Sequence, residues 1–205
     1  MTSPQEELAA GLMQIGAIRF GNFKLKLHEK EPDAPLSPIY VDLRILRSFP
    51  QTLDAAVQVY QQLSDGIAFD IYADVPTAAT PITSVLSYKT RIPMISPRLD
   101  KKQYGLSRSV DGCFHRGQRI LLIDDLITNA ESKLEAIAIL EHNNLVVAGI
   151  LILIDREQGG FEALQNQGYL CKRAFSIREL LSFYKQSGRV SKKDYTRTLA
   201  YLQTQ

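Results

Sequence analysis

The chain has 205 residues, 45% of them apolar, and its 24 basic side chains nearly balance 22 acidic ones, for a formal charge of +2. That length suits one sizeable α/β domain over residues 1–205 rather than two. The charge balance excludes a dedicated nucleic-acid binder, the lack of any apolar run of roughly 18 residues excludes a membrane helix, and two distant cysteines, Cys113 and Cys171, exclude a disulfide framework or metal cluster. With neither a basic region nor an apolar core at its start, the sequence has the expected look of a cytoplasmic protein.

Leu8, Leu12 and Ile15 recur at helical spacing behind Glu6 and Glu7, which predicts a helix over residues 5–15. Alternation on either side of Gly21-Asn22 predicts a hairpin turning there, over residues 18–26. Three prolines and mixed charge make residues 27–38 a loop before a strand at 39–43. The spacing of Leu53, Val57, Tyr60 and Leu63 predicts a helix over 50–64, ended by Asp65-Gly66 and followed by a strand at 69–73. That strand exits into a run rich in small residues, Ala73-Asp74-Val75-Pro76-Thr77-Ala78-Ala79-Thr80-Pro81. A helix through Leu86 and a strand at 92–95 lead to Arg98. The chain then loses apolar content over Asp100 to Asp111, and residues 98–112, with Gly105 and Gly112 as hinges, read as a mobile lid, with a solvated charge run as the plain alternative.

The sharpest signal lies in residues 119–137. Residues 120–123 are an unbroken apolar run, as a strand buried on both faces requires, and they stop at Asp124 and Asp125. Acids at the carboxyl end of such a strand can accept hydrogen bonds from a diol or hold Mg²⁺ and its waters, although paired acids also occur in phosphoacceptor domains and in ordinary turns. Polar residues 128–132 lead into a helix at 133–142, whose first amides, with the Thr128 and Ser132 hydroxyls, suit a phosphate. A buried strand at 146–154 ends in Asp155-Arg156-Glu157-Gln158-Gly159-Gly160. Its planar guanidinium suits a carboxylate, with a surface turn arginine as the plainer reading. A helix at 161–167, an edge strand at 169–176 and helices at 177–184 and 192–202 complete a mostly parallel sheet flanked by helices.

The run Ile123-Asp124-Asp125-Leu126-Ile127-Thr128-Asn129-Ala130-Glu131-Ser132 resembles the phosphoribosyl-diphosphate (PRPP) motif of the type I phosphoribosyltransferases, and its continuation resembles that of the orotate phosphoribosyltransferases. Residues 23–26 and 37–44, Lys102-Gln103-Tyr104-Gly105 and the block from Asp155 to Gly160 parallel further motifs of that family. The resemblance covers roughly residues 8–185 and implies the type I fold, with a core at about 50–175. An N-terminal hood, about residues 1–45 plus the C-terminal segment, would cover the carboxyl edge of the sheet. It also implies transfer of the 5-phosphoribosyl group from PRPP to orotate, with Mg²⁺ held indirectly through PRPP and the two acids.

Carried over residue by residue, Lys26, Arg98, Asp124, Asp125, Thr128, Asn129, Ala130, Glu131 and Ser132 bind PRPP, and Val75, Pro76, Thr77 and Ala78 form the diphosphate loop. Arg156, with Lys26 and Thr128, holds orotate. Lys102 joins Asp124 and Asp125 as the catalytic set, acting in trans within a homodimer. Asp74, Leu99 and Ala130 stand where the family has glycine, lysine and glycine, and residues 27–36 lengthen the hood. Two alternatives follow from these departures: a noncatalytic PRPP-binding regulator, and a transferase for another base.

Overall fold

The computed structural model describes residues 3–29, 31–99 and 109–203. After helix α1 (Ser3–Gln14), strands β1 (Ile18–Phe23) and β2 (Ser37–Val41) pair antiparallel as a separate two-stranded sheet. Gly21-Asn22 is not the hairpin turn. It lies inside β1, where the register with β2 shifts between Phe20 and Phe23, so an irregular strand absorbs the turn-forming residues. The reversal comes later, through a 3₁₀ turn at Lys26–Glu29 and a loop organised by His28. The amide of Leu25 donates to His28 Nδ1 at 2.9 Å, which leaves Nε2 to donate to the Ala34 carbonyl at 3.1 Å.

Helix α2 (Pro50–Ser64) opens with a proline, whose missing amide costs nothing in a first turn, and follows its predicted bounds. The main sheet then forms from β3 (Ile71–Asp74), β4 (Met94–Pro97), β5 (Val110–Asp111), β6 (Arg119–Ile127), β7 (Val146–Asp155) and β8 (Cys171–Ser176), in the order β5-β4-β3-β6-β7-β8. All neighbours are parallel except β5, which runs antiparallel to β4. Helices α3 (Thr80–Thr90), α4 (Glu131–His142), α5 (Gly160–Asn166), α6 (Ile177–Gln186) and α7 (Lys192–Gln203) complete the chain.

The unbroken apolar runs of β6 and β7 are explained by burial on both sides. Ile120, Leu122, Ile150 and Ile152 join a core with α4 and α5, while Leu121, Ile123, Leu151 and Leu153 join the larger core with α1, α2, α3 and α6. β6 is longer than its apolar run, because it continues through both acids to Ile127. Of the candidate lid at 98–112, residues 100–108 lie outside the described residues, and its two ends are joined to each other. The amide of Arg98 donates to the Ser109 carbonyl, and Val110 and Asp111 pair with Pro97 and Ser96. Gly112, read as a hinge, has φ +103 and is pressed so closely on β4 that a Cβ would stand 2.9 Å from Ile95 Cγ2. Among the described residues, no helix is long and apolar enough to cross a membrane.

The chain leaves β3 toward β4 on one side and leaves β6 toward β7 on the other, so the strand order reverses between β3 and β6. At such a switch point the two outgoing loops diverge and open a crevice at the carboxyl edge.

Candidate active site

The crevice contains a cavity of about 290 Å³. Its walls are residues 41–44 of the hood, Val75, Pro76 and Ala78 after β3, residues 124–126 of β6, and Ser132 and Lys133 of α4. Three stretches far apart in sequence, 41–44, 75–78 and 124–133, thus meet at one sheet edge, and residues 41–44 of the hood form one wall there. Thr77 of the same loop accepts a hydrogen bond from Arg47 Nη2 through its carbonyl, at 3.4 Å.

The two acids are buried, Asp124 at 3% and Asp125 at 8% exposure, and alternation along β6 points them to opposite faces. Asp124 turns toward α4, where Lys133 Nζ stands 2.5 Å from its Oδ2. Burial nonetheless pushes the Asp124 carboxyl up to about 7, against the opposing pull of Lys133. Burial raises Asp125 as well, with Lys133 and hydrogen bonds pulling the other way. The Tyr60 hydroxyl donates to the Asp124 carbonyl at 2.6 Å and braces this end of β6 against α2.

Of the loop residues 128–132, Ser132 reaches the cavity wall. Helix α4 begins at Glu131, two residues earlier than the periodicity suggests, so the amides of its first turn belong to the loop. Ala130 has φ −88, a right-handed conformation that needs no glycine. Asp74 is held on one side only, because its Oδ1 is buried without a hydrogen-bond partner among the described residues. Its side chain is fully buried, and Oδ2 accepts from the Thr80 hydroxyl at the start of α3, so the carboxylate spans the loop between β3 and α3. Leu99 packs against the smaller core.

Arg156 follows β7, and its amide donates to the Ile127 carbonyl, which sets it beside the end of β6. Its side chain is 7% exposed, and its Nε and Nη2 are buried without a hydrogen-bond partner among the described residues. Desolvation lowers its pKa accordingly. Asp155 is fully buried, pairs with Arg173 and accepts from the Glu157 amide, fixing the turn that presents Arg156. Arg178 reaches Glu157 at 3.3 Å and donates to the Leu202 carbonyl at 3.0 Å, tying the end of α7 to this turn. The turn also touches the loop after β6. The Gly160 amide donates to the Thr128 carbonyl, and a Cβ on Gly160 would stand 2.7 Å from backbone atoms of Thr128 and Asn129.

The remaining predicted site residues are less settled. The exposed Arg98 is engaged by Asp111 at 2.5 Å. The side chain of Lys26 and all of Lys102 lie outside the described residues, while the Lys26 backbone opens a 3₁₀ turn rather than continuing a strand.

Residues 41–44 and Lys133 were not singled out as site residues from the sequence. A signal for Lys133 was present. It stands four residues before Ile137 and seven before Leu140, on the stripe that α4 buries.

No family model matches the chain. It is 33% identical over 192 residues to orotate phosphoribosyltransferase of Pyrobaculum aerophilum, covering 93% of this chain and 95% of that protein. It is 30% identical over 198 residues to uridine 5′-monophosphate synthase of Bos taurus, where it spans 96% of its own length and 40% of the relative's. The solved structure of Leishmania donovani UMP synthase superposes with a TM-score of 0.86 at 31% identity, over 98% of this chain and 42% of that one. Since the likeness to the Pyrobaculum protein runs nearly end to end in both sequences, the chain belongs to the orotate phosphoribosyltransferase family.

Proposed function

We propose that the protein transfers the 5-phosphoribosyl group of PRPP to orotate, releasing diphosphate and forming orotidine 5′-monophosphate, a step of pyrimidine biosynthesis. The observation that carries this reading is the single cavity shared by the acid pair, the loop after β3 and Ser132. Asp125 accepts hydrogen bonds from the ribose hydroxyls, with Asp124 behind it. Amides over residues 128–132 and the Ser132 hydroxyl receive the 5′-phosphate at the positive end of α4. Backbone amides of residues 75–78 receive the diphosphate. The unmet donors of Arg156 take the orotate carboxylate and turn the ring nitrogen toward the anomeric carbon.

As diphosphate departs, positive charge grows on the ribose. The protein's task is then to hold the partners in line and stabilise the separating charges, and no side-chain nucleophile is required. The donor chemistry fits Mg²⁺. Asp124 and Asp125 offer hard oxygens, and no group of three metal-binding side chains is found among the described residues, so these acids would hold the ion through its waters and the substrate's oxygens. When bound, Mg²⁺ offsets charge on the diphosphate. Lys102 from a second copy of the chain neutralises the leaving group, helped by Lys26 and by Arg98 once it leaves Asp111. We place this homodimer in the cytoplasm.

Loss of orotate absorbance with PRPP and Mg²⁺ tests the reading. Steady turnover is expected with orotate and none with uracil, which lacks the carboxylate. Measurable PRPP binding without turnover would leave a noncatalytic PRPP-binding protein. If the lid works in trans, mixing inactive Lys102→Ala and Asp125→Asn subunits restores part of the activity, since one intact site assembles from two defective chains.

A further inference from the structure

Lys133 is a charged residue in an expensive place. It is 6% exposed, and as the third residue of α4 it adds a cation where the helix amides already carry positive charge. An apolar side chain there would extend the buried stripe of Ile137 and Leu140 and avoid the cost of desolvating an ammonium. Helix-end electrostatics and apolar packing therefore give no reason for a lysine.

Its contacts give a different one. The side chain folds back past the start of its own helix, and its ammonium makes three contacts. Nζ lies 2.5 Å from Asp124 Oδ2, donates to the Leu126 carbonyl at 2.7 Å and reaches Ser132 Oγ at 3.3 Å. The lysine thus touches the acid beneath the ribose position and the hydroxyl of the phosphate loop at once, and it lines the cavity they share. Because Ser132 Oγ accepts from the ammonium, its own proton is left to point at an acceptor in the cavity.

We propose that Lys133 is a positioning residue for PRPP, which locks Asp124 and Ser132 into one binding geometry and adds positive charge where the 5′-phosphate sits. This rests on the PRPP reading of the cavity. Without the lysine the two groups are free to adopt separate rotamers, and the helix end loses a full charge.

Calorimetric titration of PRPP with Mg²⁺ into the full-length protein tests it. Lys133→Met is expected to weaken PRPP at least roughly tenfold, with the orotate KM nearly unchanged, and Lys133→Arg to recover part of the loss. Lys133→Met combined with Ser132→Ala is expected to lose clearly less than the product of the two single effects, because the residues act as a unit. PRPP affinity within about twofold of the unmutated protein in a folded Lys133→Met variant, or single effects that simply multiply, overturns the proposal. If Lys133→Met fails to fold, Lys133→Met with Asp124→Asn removes both charges, and undiminished PRPP affinity there is equally fatal. Absence of orotate turnover in the unmutated protein would count against base transfer, while the titrations would still read Lys133.

Discussion

The β6–α4 corner and the turn after β7 sit side by side at one sheet edge and treat buried charge in opposite ways. At the corner the protein supplies its own counter-charge, with Lys133 against Asp124. At the turn, Arg156 is almost as deeply buried, yet two of its guanidinium nitrogens have no partner among the described residues. A buried charge left uncompensated is costly, so such a group is kept where an incoming ligand completes it. The corner is paired within the chain, whereas the turn keeps open donors, as the proposed orotate site requires.

The largest expected effect would break the contrast at the turn. Arg156→Ala should weaken orotate by roughly 2–5 kcal/mol while leaving PRPP affinity almost intact, because one ligand alone loses its counter-charge. Apparent affinities for both substrates would check this, and equal losses would make Arg156 a structural residue. At the corner, Asp125→Asn should cost PRPP a charge-assisted hydrogen bond of about 1.5–3 kcal/mol, or on the order of tenfold to a hundredfold in affinity. Unchanged calorimetric affinity would remove Asp125 from the ribose site.

Gly160→Ala probes where the two regions touch. Its Cβ would meet backbone rather than a flexible side chain, so overpacking should destabilise the fold by about 1–3 kcal/mol, read as a lowered melting temperature. The smallest effect is on pH. The folded Asp124 takes up its proton at about 7, above its ordinary value of 3.8, so the folded state binds more protons than the unfolded chain in that window. Its contribution to stability is therefore lost as pH rises from about 4 to about 7, and thermal melts of ligand-free Asp124→Asn should show a flatter pH dependence over that range.

The parts of this edge that were legible in the sequence carry their reason locally. The apolar run of β6 stopping at two acids, and the proline-headed stripe of α2, each report their environment through spacing. Other features depend on partners distant in sequence. Gly21-Asn22 reads as a turn because those residues favour turns, and the pairing of β1 with β2 absorbs them into a strand instead. Lys133 stands on the helical stripe of Ile137 and Leu140, but its contacts with Asp124 and the Leu126 carbonyl arise only when α4 folds back along β6. Asp74 looks like an intruder among small residues, and its contact with the Thr80 hydroxyl is visible only in the fold. Strand β5 at Val110 and Asp111 is too short to announce itself.

The position of β6 has a consequence for how the molecule breathes. It is interior to the six-stranded sheet, hydrogen-bonded to β3 and β7, and its acids sit on backbone that can open only when much of the domain opens. The hood contributes residues 41–44 to the same cavity from the end of a two-stranded sheet with an irregular register. Amide protons of Leu121 and Ile123 should therefore exchange with deuterium at rates set by global unfolding, while those of Phe20 and Tyr40 exchange through local opening and slow when PRPP binds. The floor of the crevice is thus as durable as the whole domain, and its roof is renewed on a much shorter clock.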